Sequence, residues 1–389
     1  MHRAQNYQRN RWAVAAMFGA NGFAMGIWAT QIPLLLPRHQ ITESTLGLLI
    51  LVLGMGAVGA MLFTGRLIAA YGSRLVLIGF ALAMPTSLAM LVFAPNLWIL
   101  AFVMAAFGGL TGCMDVAMNA NAVAVERGMG RAIMSSSHGF WSLGGFVGGS
   151  AGSFANAHWG AEVQVLAAVG VLMAIVGLAI PFLLRDTPAP VDGVKAQKGV
   201  LFPRDASLWI LGLLAFFSMI PEGAVLDWSA IYLSKELGAD VFTSGLGFAF
   251  CAGAMAVMRF AGDGVRNRIG AVKTLRVSGL IAAVGLMGAA AAPNDILAIA
   301  CFAVTGIGIA NMVPIMFSAA GNHPGIESAA AISTVTMVGY AGILVAPSSI
   351  GFIAEWFGFR LTYAALALLL VVVVAMAGRA AAADGVRKG

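Results

Sequence analysis

The chain has 389 residues, of which 60% are hydrophobic and only 10% charged, with a mean hydropathy of +0.91. An ordinary soluble domain carries about 25% charged residues, so a water-soluble globule is excluded, and a disordered chain is excluded by the opposite excess of apolar material. The net charge of +6 comes without the clustered Lys, Arg and aromatic residues that nucleic-acid binding needs.

A transmembrane helix takes about 20 apolar residues, and apolar runs between polar or Gly/Pro-rich breaks predict twelve of them. In chain order they are 12–36, 44–70, 75–94, 97–124, 132–157, 163–184, 207–234, 241–261, 271–292, 296–320, 329–354 and 361–378. Arg3, Arg9 and Arg11 precede the first, which is too long for the apolar core of a signal peptide. The fold class expected is therefore an all-α polytopic membrane protein with short loops.

The longest polar stretch, 185–206, separates six spans from six. It divides the chain into an N-terminal bundle (1–184), a cytoplasmic linker (185–206) and a C-terminal bundle (207–389). The halves also repeat in sequence. Trp28 matches Trp228; Ser44, Leu46 and Gly47 match Ser244, Leu246 and Gly247. Ala132 and Ile133 match Ala331 and Ile332, and Gly139 and Phe140 match Gly339 and Tyr340, all at offsets of 199–200. Such repeats build two pseudo-symmetric bundles that can rock about a central site.

With the N-terminus in the cytoplasm, 19 of the 22 Lys and Arg residues fall on the cytoplasmic side. Only Arg38, Lys235 and Arg360 fall outside, as the positive-inside rule requires. Trp98, Trp159, Trp209 and Trp356 lie near span ends, where an interfacial belt would put them. Cys113, Cys251 and Cys301 form no CxxC pair and the five histidines are isolated, so neither a disulfide framework nor a metal site is expected.

Ionisable residues inside a membrane are expensive and usually face protein or water. Only Asp115, Glu222 and Asp227 sit well inside spans, with no Lys or Arg placed equally deep. An unpaired buried carboxylate takes up a proton more readily than one in water, so these three are the candidate proton-coupling groups. Span one adds Asn21, Trp28 and Gln31 on one helical stripe, span four adds Asn119 and Asn121, span seven Trp228, and span ten Asn311 before Pro314. Spans three, six, nine and twelve are nearly bare of deep polar groups. The two tryptophans suit either stacking on a sugar ring or core packing. His138 suits a structural hydrogen bond. Gly144, Gly145, Gly148 and Gly149 suit close helix packing, while Pro33, Pro221, Pro314 and Pro347 permit bending.

Gly65-Arg66-Leu67-Ile68-Ala69-Ala70-Tyr71-Gly72-Ser73-Arg74 resembles the G-x-L-x-D-R-x-G-R signature of the major facilitator superfamily, with Ala69 in place of the usual acid. The equivalent stretch of the second half runs from Arg259 through Gly262 and Asp263 to Gly270 and keeps its acid. The segments Met134–Gly145 and Pro221–Ser229 are similar to the fucose-permease-related branch and to YbjJ-like inner-membrane proteins. The resemblance implies a central cavity lined by spans one, four, seven and ten. It implies a conformational loop role for Gly65, Gly72, Arg74, Arg259, Asp263 and Gly270. The glycine string of span five is similar to a motif linked with antiporters, with Gly145 in place of its proline.

The expected function is secondary transport by alternating access, as proton-coupled symport of a small polar, sugar-like solute. Asn21, Trp28, Gln31, Asn119, Trp228 and Asn311 are the expected substrate-binding residues. Proton-antiport efflux of drugs or metabolites is the alternative, and sodium is an alternative coupling ion. No nucleophile or metal constellation points to an enzyme, and no cofactor or nucleic-acid partner is implied. A monomer is expected, embedded in the lipid bilayer of a bacterial-type inner membrane, with both termini cytoplasmic.

Overall fold

The computed structural model describes residues 7–129, 133–185, 205–324 and 328–388, and among the described residues there is no strand. Most of the expected linker, 186–204, lies outside them. The helices are α1 (Tyr7–His39), α2 (Glu43–Phe93), α3 (Leu97–Met129), α4 (Met134–Ala179), α5 (Ala206–Leu237), α6 (Val241–Ile269), α7 (Ala271–Ala291), α8 (Asp295–Ile309), α9 (Met312–Gly321) and α10 (Ser328–Met376). A short 3₁₀ turn follows α4 at Ile180–Phe182, and a 12-residue 3₁₀ stretch follows α10 at Ala377–Lys388.

Among the described residues, ten helical stretches are long and apolar enough to cross a bilayer. Two of them, Ser136–Phe182 and Val345–Asp384, have 47 and 40 residues. At about 1.5 Å per residue each is about twice the roughly 30 Å hydrocarbon core. Each contains a glycine at which the chain changes direction, Gly160 (φ 82°, ψ 171°) and Gly358 (φ 81°, ψ 161°). Dividing α4 and the whole of α10, which begins at Ser328, at these glycines gives twelve spans among the described residues.

Gly72 (φ 78°, ψ 156°) divides α2 in the same way, and Gly270 (φ 86°, ψ 161°) separates α6 from α7. A side chain at these angles meets severe steric strain, so only glycine occupies them cheaply. Gly72 and Gly270 are 198 residues apart, and so are Gly160 and Gly358. The repeat is therefore present in the backbone as well as in side-chain identities.

Local chemistry sets the remaining boundaries. Asp205, Asp240 and Asn294 cap α5, α6 and α8 by accepting hydrogen bonds from first-turn N–H groups. Left-handed Gly238 ends α5. Span ten is broken at Asn311 between α8 and α9, because Pro314 has no N–H to give to the carbonyl one turn back. Asp384 caps α7 from the far end of the chain, accepting from the Ala271 N–H at 2.6 Å.

The chain divides into two compact units, Met1–Ile41 with Leu48–Val194, and Thr42–Gly47 with Lys195–Gly389. In the first unit α1 packs on α4 through backbone. A methyl added at Gly22 would sit 1.9 Å from the Trp141 carbonyl oxygen, one at Gly144 2.1 Å from that of Gly19, and one at Gly148 2.3 Å from that of Phe23. The glycine string thus serves close packing, which the bilayer rewards because lipid supplies no hydrophobic drive between helices. A methyl at Gly108 would lie 2.0 Å from the Leu53 carbonyl oxygen, and in the second unit one at Gly306 would lie 2.2 Å from that of Cys251. That contact, too, recurs 198 residues on.

Span six carries a buried polar group near its start, just after the Gly160 reversal. Gln164 is 1% exposed, donates to the Thr30 hydroxyl at 2.9 Å and accepts from Gln31. Asn156 donates to the Thr30 carbonyl, so a buried amide network joins α1 to both arms of α4. In the second unit Lys235 pairs with Glu43, Arg360 lies 3.7 Å from Glu236 and the Ser44 N–H donates to Glu355. Trp98 and Trp356 are 86% and 72% exposed, as lipid-interface anchors should be.

Candidate functional site

In the first unit the polar residues converge on α3. Asn119 donates to the Asp115 carbonyl oxygen at 2.9 Å and to its carboxylate at 3.3 Å, as an i, i+4 pair on one helix face can. One turn earlier, the Thr111 carbonyl accepts from the Asn21 amide of α1 at 3.3 Å. Asn21 in turn accepts from the Trp141 indole N–H of α4 at 2.9 Å. Asp115, Asn119 and Trp141 are half-buried while Asn21 is buried. Among the described residues no cation lies within ion-pair distance of Asp115.

In the second unit Glu222 of α5 lies 3.5 Å from the Arg259 guanidinium of α6, with both side chains partly exposed. This corrects the expectation that no basic residue reaches the depth of the acids. Arg259 belongs to the helix itself and not only to the loop beyond it. Asn311, between α8 and α9, lies against α6 at Met258 and Gly262. Its amide approaches the Met258 carbonyl at 3.5 Å, and a methyl at Gly262 would fall 2.2 Å from its side-chain oxygen. The break before Pro314 is what aims Asn311 at α6.

The other expected residues are placed differently. Trp28 is 1% exposed and packs on Phe107, and Trp228 is fully buried against Phe359 and Gly351. Both fill core space, which leaves no free ring face for a solute. Gln31 is buried in the amide network described above. Asp227 is buried, and one turn before it the Ala224 carbonyl accepts from the Tyr363 hydroxyl at 3.1 Å. His138 stands edge-on to Phe18 with ring centroids 5.1 Å apart.

Of the loop residues, Gly72 and Gly270 make the reversals and Arg74 donates to the Ile180 carbonyl at 3.1 Å. Gly65 is exposed with open space around it. The side chain of Asp263 lies outside the described residues.

Sequence reasoning missed Arg259 as the partner of Glu222, and Trp141 as the half-exposed indole of the polar patch. Arg259 lay two residues inside the expected end of span eight, so the signal was there. Trp141 lay within the Met134–Gly145 motif.

A sequence profile described as Major Facilitator Superfamily matches residues 14–325 and, in a second overlapping match, 230–385. The chain belongs to the Major Facilitator Superfamily. An uncharacterised MFS-type transporter of Yersinia pestis is 36% identical over 359 residues, covering 92% of each chain. The membrane protein MosC of Rhizobium meliloti is 32% identical over 363 residues, covering 93% of this chain and 86% of its own.

Among solved structures, a mutant of the nucleoside transporter NupG aligns with a TM-score of 0.74 at 14% identity, covering 95% of this chain and 99% of its own. The human organic anion transporter MFSD10 aligns with a TM-score of 0.70 at 13% identity, covering 96% and 100%. The protein is thus an integral membrane transporter with the major facilitator fold.

Proposed function

We propose that the protein is a proton-coupled secondary transporter that moves a small polar solute by alternating access, with Asp115 as the proton-carrying group. The observation that carries this reading is the contrast between the two half-buried carboxylates. Asp115 has an amide partner and, among the described residues, no cation within ion-pair distance, whereas Glu222 is matched by Arg259. A carboxylate without a counter-charge in a membrane span gains most from a proton, while a neighbouring guanidinium favours the ionised form.

Asn21, Asn119 and Asn311 supply amide groups suited to hydroxyl-rich solutes. Trp141 takes over the stacking role first considered for Trp28 and Trp228. Glu222 and Arg259 orient the solute by paired charge, and Asp227, being buried, is a supporting group rather than a carrier. The polar character of this set favours a sugar-like or nucleoside-like solute over an apolar drug. The fold neighbour NupG is a nucleoside transporter.

The test begins with a thermal-shift screen of the purified protein against sugars, nucleosides, polyols and organic acids. The best stabiliser is then followed into proteoliposomes under an imposed pH gradient. Gradient-driven uptake that is lost in Asp115→Asn, with solute exchange retained, supports the proposal. Uptake that stays gradient-driven in Asp115→Asn refutes it, and outward movement driven by counter-flowing protons would establish the efflux alternative.

A further inference from the structure

A cleft of about 600 Å³ opens on the first unit where the start of α1 meets the end of α4. It is lined by Arg9, Trp12 and Ala16 from α1 and by Ile175, Leu178 and Phe182 from α4 and the turn after it. Its volume lies within the range of small-molecule sites. Part of the apolar lining is exposed. Trp12 is 54%, Leu178 75% and Phe182 45% exposed.

The walls are fixed by polar contacts. The Asn10 side chain donates to the Phe182 carbonyl at 2.7 Å, and Arg11 donates to the Ser136 hydroxyl at 2.7 Å while its guanidinium lies 5.6 Å from the Trp12 ring centroid. The cleft is therefore a preformed slot with an exposed cation at the end where α1 begins and hydrocarbon-facing side chains along its length.

We propose that this cleft is a site for an anionic phospholipid, one acyl chain lying against Ala16, Ile175 and Leu178 and the headgroup phosphate held by Arg9. A soluble anion would have no use for the bare apolar walls. A neutral lipid would gain nothing from the cation. Basic pockets at the ends of membrane helices are suited to anionic headgroups, and Trp12 is the first residue of the expected first span, the kind of position where indoles anchor to the interface. A second surface groove, of about 400 Å³ around Leu67, Leu75 and Phe80, shows the contrast, since no cation lines it. It offers an acyl chain a resting place without headgroup selection.

The test uses the full-length protein in detergent, titrated with phosphatidylglycerol or phosphatidylcholine and read by native mass spectrometry. One phosphatidylglycerol per chain should be retained preferentially. One near-surface cation contributes about fivefold in affinity, so Arg9→Gln should lower the preference by about that factor and Arg9→Lys should largely keep it. Ala16→Trp, which fills the slot, should remove the retained lipid whatever its headgroup. Gly79→Leu, in the second groove where an added methyl meets open space, should leave it in place. Equal retention of the two lipids, or an unchanged preference in both Arg9→Gln and Ala16→Trp, overturns the proposal.

Discussion

Replacing Arg259 by glutamine strands the Glu222 carboxylate. At 3.5 Å two unit charges attract by about 5 kcal/mol at an effective dielectric of about 20. Desolvation offsets much of this. The side chains are 16% and 30% exposed, which places the pair between a surface bridge worth about 0.2–1 kcal/mol and a buried one whose breakage costs about 3–5 kcal/mol.

The expected loss for Arg259→Gln or Glu222→Gln alone is therefore about 1–3 kcal/mol. The double variant should lose less than the sum of the two, by a coupling of about 1–3 kcal/mol. Unfolding of the purified protein in detergent, run on all four members of the cycle, reads this directly. Additivity within about 0.5 kcal/mol would show that the pair does not interact and would remove the distinction drawn between Glu222 and Asp115.

Gly108→Ala and Gly306→Ala should each cost about 1–3 kcal/mol or more by overpacking, because the new methyl meets a backbone carbonyl. Gly79→Ala, with nothing within 4 Å, should be neutral or stabilising by up to about 1 kcal/mol; thermal unfolding ranks the three. Gly262→Ala should displace Asn311, and it should weaken solute binding in the thermal-shift assay more than it lowers stability.

The Thr243 N–H bonded to Asp240 holds that carboxyl below its usual range, and the Ser207 hydroxyl does the same for Asp205. Each cap therefore contributes stability that is present above the unfolded value near 3.9 and is lost as pH falls through the lower folded value. Thermal midpoints should be insensitive to these caps between pH 7 and 5 and fall in stronger acid. In Asp240→Asn, which keeps a capping oxygen, the part of the acid-side fall due to that cap should vanish.

Span number and the repeat were legible because bilayer thickness and the positive-inside rule act on composition alone. The glycine reversals were half legible. Gly72 and Gly270 stood in motifs, whereas Gly160 and Gly358 had no flanking signature, and only their backbone angles reveal them. Deep carboxylates were legible as residue types, and the i, i+4 spacing of Asp115 and Asn119 was legible too, but the partner of Glu222 was not. Arg259 can face Glu222 only once α5 and α6 are packed, and no spacing within one helix carries that information. The tryptophans misled for a related reason. Trp28 and Trp228 match across the repeat, yet a repeated residue serves packing as readily as binding, and here each fills the core of its unit. The packing glycines Gly108 and Gly306 recur at one offset, whereas at that offset Asp115 faces Val313 and Arg259 faces Met61. The scaffold keeps the repeat and the charges break it.

The central claim is that Asp115 is the proton-carrying carboxylate, while Glu222 is paired with Arg259. Labelling with dicyclohexylcarbodiimide, which attacks protonated carboxyl groups in apolar surroundings, tests it without knowledge of the solute when adducts are mapped by mass spectrometry. The account predicts an adduct on Asp115 in the wild-type protein at neutral pH, and one on Glu222 only after Arg259→Gln. Wild-type protein labelled at Glu222 and untouched at Asp115 would contradict it.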